Sequence, residues 1–151
     1  MTTLSTQGFS AEARYISRAS TDGRRRLLES TVIGTESVRD ELGEVWEECR
    51  NENWDSYGAK GVSSDALRNA YCFLEALPLG CPAPSISGEP DGALTFEWHR
   101  DHRHTLSVSI DGDENLYFAA LLGPMKSHGS DIFFGDIPEM ILDLIGRVSI
   151  A

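Results

Sequence analysis

ALTFEWHRDHRHTLSVSI, residues 93–110, decides the fold. Leu94, Phe96 and Trp98 alternate with Ala93, Thr95 and Glu97. Leu106, Val108 and Ile110 then alternate with Thr105, Ser107 and Ser109. Successive side chains of a strand point to opposite faces, so a period of two marks a strand with one dry face and one wet face. Two such strands close together in sequence read as an antiparallel pair. The polar run between them, His99-Arg100-Asp101-His102-Arg103-His104, must then hold a hairpin turn.

Downstream, residues 116–122 are more continuously apolar and predict a central or well-covered strand. The turns are explicit: Pro90-Asp91-Gly92, Asp111-Gly112-Asp113-Glu114-Asn115 and Gly123-Pro124. The second of these lacks the acceptor spacing and distal Glu of a calcium loop and reads as an Asp-Gly hairpin. Gly123 to Gly129 reads as a flexible loop with Lys126, Ser127 and His128 close together, followed by a short strand around Ile132-Phe133-Phe134. Residues 137–148 predict a helix, with Asp136 and Glu139 at capping-box spacing and Pro138 in the first turn. Its apolar face (Ile137, Met140, Ile141, Leu144, Ile145 and Val148) must cover something, and the sheet is the economical answer.

Upstream of the strands the period is helical. Residues 64–77 carry a stripe of Leu67, Ala70, Tyr71, Leu74 and Leu77, with Ser63 as N-cap, Val62 and Leu67 as a hydrophobic staple, and Pro78 as the stop. Pro82 and Pro84 lead into an edge strand. Residues 37–50 predict an earlier helix from Val38, Leu42, Val45, Trp46 and Cys49, capped by Ser37. Its outer face carries Glu44, Glu47 and Glu48. The expected architecture is α+β: two N-terminal helices, an antiparallel sheet of four or five strands, and a C-terminal helix packed on the sheet. Residues 1–34, rich in Ser, Thr and Arg, read as a mobile or loosely docked basic arm on a single acidic domain, 35–151.

Charge narrows the partners. Residues 35–151 hold eight basic and 21 acidic side chains, a balance of −13, against −11 for the whole chain. Phosphate binding needs clustered Lys and Arg, so direct nucleic-acid or anionic-membrane binding is disfavoured and a protein with a basic surface is favoured. No apolar window is long enough to span a bilayer, and the N-terminus lacks the apolar core of a secretory signal. Cys49, Cys72 and Cys81 have neither disulfide nor zinc spacing and read as reduced thiols of a cytoplasmic protein.

Between the two helices lies Asn53-Trp54-Asp55-Ser56-Tyr57-Gly58-Ala59. Trp54 and Tyr57 are expected to close over the gap between the helices. Asn53 or Asp55 would satisfy backbone N–H groups at the helix ends, and Gly58 would take a positive φ. Asp55 and the rims of the two rings remain for contact with a partner.

This segment, with Val62-Ser63, Leu77-Pro78, Pro84, Pro90-Asp91-Gly92 and Glu97-Trp98, resembles a family of small uncharacterised bacterial proteins centred on an Asn-Trp-Asp-Gly-Tyr-Gly-Ala motif. The resemblance spans residues 50–122. It implies a bacterial source and a domain pattern, and carries no reaction, cofactor or catalytic residue. Ser56 stands where that motif has Gly, which implies that the position needs no glycine-only backbone geometry.

The expected function is therefore non-enzymatic: a protein-binding domain that occupies a partner as an inhibitor, antitoxin-like or counter-defence protein, or masks a basic surface. Its contacts would be Trp54, Asp55, Tyr57, Glu44, Glu47 and Glu48, with no cofactor, and the last helix and aromatic strands would permit a homodimer. One alternative is a small metal-dependent hydrolase using His99, His102 and His104, or His128. Another is an acidic secretion-chaperone-like protein, by analogy of fold alone.

Overall fold

The computed structural model describes residues 23–150, with side chains from residue 36. Helices α1 (Gly23–Cys49) and α2 (Ser64–Ala76) come first. Strands β1 (Ser85–Gly88), β2 (Leu94–Asp101), β3 (His104–Ile110), β4 (Asn115–Leu122) and β5 (Met125–Ile132) follow, and α3 (Glu139–Ser149) comes last. The strands form one sheet in the order β1-β2-β3-β4-β5, with every neighbouring pair antiparallel. This is the expected α+β arrangement.

The register explains which side is dry. Ile86, Phe96, Val108, Phe118 and Gly129 lie in one row across the sheet. Leu94, Ile110 and Leu116 lie in the row on one side of it, and Trp98, Leu106 and Ala120 in the row on the other. All of these except Gly129 are buried. The helices cover this face: α1 touches β1, α2 touches β2 and β3, and α3 touches β2, β3 and β4. Phe73 of α2 is the hub. Its ring stacks on Phe96 with centroids 5.0 Å apart and meets Trp98 and Phe133 edge-on at 6.5 and 5.8 Å.

The other face bears rows of small polar residues. Ser87, Thr95, Ser109, Tyr117 and Ser130 form one, and Ser85, Glu97, Ser107, Ala119 and His128 the next. The Thr95 and Ser109 hydroxyls hydrogen-bond across strands at 2.7 Å. Among the described residues no helix packs on this face.

Several local expectations change. The arm expected over 1–34 lies outside the described residues as far as residue 22, but from Gly23 the chain is already helical and runs unbroken to Cys49. Ser37 is therefore inside α1 and caps nothing. No proline interrupts 23–49, and a Ser or Gly inside a helix weakens it by only about 1 kcal/mol or less. Gly43 has a packing reason: a Cβ there would lie 3.2 Å from the Tyr71 hydroxyl of α2.

Ser63 caps α2 as expected, accepting from the Ala66 N–H at 3.1 Å. The buried stripe of α2 also includes Ala66 and Phe73. At α3 the capping box does not form. Pro138 is itself the N-cap, which leaves Asp136 two residues too early. Met140 is exposed rather than part of the apolar face.

The largest change is Met125–Ile132. The segment expected to be a loop is the edge strand β5, and Phe133 and Phe134 lie beyond its end. Gly123-Pro124 is a two-residue hairpin turn that lets β5 return along all eight residues of β4.

Candidate functional site

An α-helix turns about 100° per residue, so Glu36, Asp40, Glu44, Glu47 and Glu48 fall within about a third of the circumference of α1, on a ridge roughly 18 Å long. All five are exposed. Glu47 pairs with Arg50 at 3.3 Å, and among the described residues the other four form no ion pair. The nearby arginines are already engaged. Arg39 bonds Glu75 at 2.9 Å and lies over the Tyr71 ring, and Arg50 lies over Trp46, 4.5 Å from the ring centroid.

The loop that follows α1 is built from its own polar groups. Asp55 Oδ1 accepts the N–H groups of Tyr57 (2.8 Å) and Ala59 (3.0 Å), and Asn53 Oδ1 accepts that of Gly58 (2.7 Å). Ser56 donates to the Asn53 carbonyl, Gly61 to the Glu52 carboxylate, Lys60 to the Pro90 carbonyl and Val62 to the Cys49 carbonyl, all within 3.0 Å. Every backbone N–H from Ser56 to Val62 thus has an acceptor. The loop also fastens the end of α1 to the start of α2 and to the β1–β2 turn.

Two expectations for this loop are corrected. Asn53 and Asp55 serve the loop's own N–H groups, not the ends of the helices. Ser56 does adopt left-handed geometry, with φ 68°, as do Asn53 at 62° and Gly58 at 88°. For a serine that conformation costs on the order of 1 kcal/mol, and the bonds around it hold it there.

The two aromatics separate. Trp54 is half-buried against the core, its Nε1 donating to the Lys60 carbonyl at 3.1 Å. Tyr57 does not close the core: it is 92 % exposed. Trp46 joins the helices instead, donating from Nε1 to the Val62 carbonyl at 3.0 Å. The result is an exposed tyrosine on a preorganised loop that continues directly from an acidic helix.

The histidine run is mostly satisfied internally. Asp101 Oδ1 accepts the Arg103 N–H at 2.8 Å and lies 2.9 Å from His104 Nδ1, and Arg100 Nε is 3.6 Å from Asp101 Oδ2. The hydrogen bond from His104, helped by that from Arg103, lowers the Asp101 pKa to about 2. His99 is opposite Thr105 on the open face, and His102 is exposed in the turn. Among the described residues no group of three or more His, Cys, Asp or Glu side chains is placed to hold a metal ion.

The Lys126, Ser127 and His128 set is divided by the pleat. Lys126 and His128 point to the open face with Leu121 and Ala119, and Ser127 points to the other with Ala120. Sequence reading missed this because β5 has no apolar alternation. The available signal was the two-residue Gly-Pro turn after a strand, which leaves the next segment little choice but to pair back.

A shallow cleft of about 220 Å³ lies between the β2 end and α3, lined by Pro82, Ala83, Trp98, His99, Arg100, Val148 and Ser149. It falls below the roughly 300 Å³ at which small-molecule pockets begin, and the Trp98 N–H is spent on the Pro82 carbonyl at 2.8 Å.

No protein-family model matches this chain, and no curated protein or solved structure matches it. Among the described residues no helix is long and apolar enough to cross a membrane.

Proposed function

We propose that this chain is a non-enzymatic protein-binding domain that acts by occupying a basic surface of another protein, as an inhibitor or antitoxin-like protein does. The observation that carries the reading is Tyr57. A large ring with one polar end, almost wholly in water, sits on a loop whose backbone N–H groups from Ser56 to Val62 are already satisfied. Such a ring loses little conformational freedom on binding, and tyrosine is enriched among the residues that dominate interface energy. Glu44, Glu47 and Glu48, with Glu36 and Asp40 on the same ridge, would draw in a basic partner and speed its approach. Asp55 positions the ring rather than touching the partner. A cytoplasmic site fits cysteines that form no disulfide among the described residues.

The test is affinity capture from a bacterial lysate at low and high salt, comparing the native chain with Tyr57→Ala and with the triple variant Glu44→Lys, Glu47→Lys, Glu48→Lys. A species retained at low salt, released by salt and lost from both variants supports the reading. Tyr57→Ala should weaken a purified partner by at least about tenfold. A capture pattern identical for all three proteins overturns it.

A further inference from the structure

The two edges of the sheet are finished differently. β1 is four residues long, lies against α1 and is flanked by Pro82, Pro84 and Pro90. The Ile86 N–H is taken by the Glu41 carboxylate at 3.3 Å. Short length, proline and a covering helix are the means by which proteins close a sheet edge. β5 uses none of them. It has eight residues and no proline, pairs with β4 without a break in register, and among the described residues touches no other element.

Its free edge can be read from the hydrogen bonds at its end. Phe133 donates inward to the Glu114 carbonyl at 2.9 Å, whereas the Ile132 N–H turns to the Asp131 carboxylate at 2.7 Å. By the alternation of an antiparallel ladder, Lys126, His128 and Ser130 direct their N–H and C=O groups away from β4. This corner is also the neutral part of an acidic chain. β3 and β4 contain no Asp, Glu, Lys or Arg, and in β5 Lys126 and Asp131 cancel. A second copy approaching through the helices would meet the carboxylates of α1; here it meets none in excess.

We propose that β5 pairs antiparallel with β5 of a second copy, with a two-fold axis through Gly129, joining two five-stranded sheets into one of ten strands. This register overlaps all of 126–132 and sets the outward-bonding residues opposite each other. His128 of each copy faces Ser130 of the other, Ser127 faces Asp131, and Lys126 faces Ile132, so no like charges are opposed. Gly129 falls on the axis at a non-hydrogen-bonded pair, where the Cα atoms approach to about 4.5 Å. A glycine suits that position doubly, because a Cβ would sit 3.0 Å from Phe118 Cε1.

Sedimentation equilibrium of the full chain over a wide concentration range tests this. The native protein should approach twice its 16.6 kDa mass. Combining His128→Asp with Ser130→Asp opposes two pairs of like charges and should raise the dissociation constant at least about tenfold. Combining His128→Lys with Ser130→Asp makes both pairs attractive and should restore the dimer. His128→Pro removes only an outward N–H, so it should give a folded monomer by circular dichroism. A native chain that is monomeric throughout overturns the proposal. So does a dimer whose affinity is the same in the like-charge variant, since its contact must lie elsewhere.

Discussion

The loop Asn53–Ala59 and the hairpin His99–His104 are the two chemically densest stretches of the sequence, and the structure treats them in opposite ways. In the loop, polar side chains are spent on backbone N–H groups and a ring is left over, pointing into water. In the hairpin, Asp101 gathers His104, Arg103 and Arg100 around itself, and among the described residues no three His, Cys, Asp or Glu side chains converge to hold a metal ion. Density of polar residues is therefore a poor guide to a site. What decides is which groups remain after the backbone has been satisfied.

The loop should be the more fragile of the two. Gly61→Ala would bring a Cβ within 2.6 Å of the Arg50 carbonyl oxygen, a backbone atom that cannot turn away. We expect a loss of about 3 kcal/mol in chemical denaturation. Asp55→Ala strands two N–H groups and should lose about 2 kcal/mol. If either variant proves neutral, the loop is not the joint between the helices and the sheet that its bonds describe. Ser56→Gly should go the other way, because relief of the left-handed serine outweighs the added chain entropy. A gain of roughly 0.5 kcal/mol would show the strain directly. Tyr57→Ala should leave stability unchanged, separating the presented ring from the frame that presents it.

The hairpin is best probed by pH. The Asp101 pKa is lowered to about 2 from an ordinary 3.8. A depressed carboxylate stabilises the fold above its unfolded value and loses that contribution as pH falls through its folded value. Asp101→Asn should therefore flatten the stability profile between about pH 4 and pH 2 and nowhere else. A difference persisting unchanged below pH 2 would mean that the carboxylate's charge is not its role.

Much of the fold was legible because apolar periodicity is strong where burial is one-sided. Leu94, Phe96 and Trp98, and Leu106, Val108 and Ile110, announce their strands and faces. β5 was not legible, since an edge strand that no helix among the described residues covers has nothing to write in apolar residues. The start of α1 was missed for a related reason: a good cap residue such as Ser37 is only an option, and the chain before it is free to be helical. In the candidate site, Asn53, Asp55 and Gly58 announced a tight loop, but which aromatic faced water depends on the bond from Trp54 to Lys60. No local pattern encodes that bond.

The strand order also has a kinetic side. Because β1 to β5 pair in the order in which they are made, each strand-to-strand step closes only a short loop, with little entropy to overcome. The docking of α1 on β1 and of α3 across β2, β3 and β4 spans far longer stretches of chain. Folding should nucleate in the meander, with the Phe73 ring settling on it and α3 closing last. Truncations in β3 and β4, such as Val108→Ala, should slow folding, while Ile141→Ala should mainly speed unfolding.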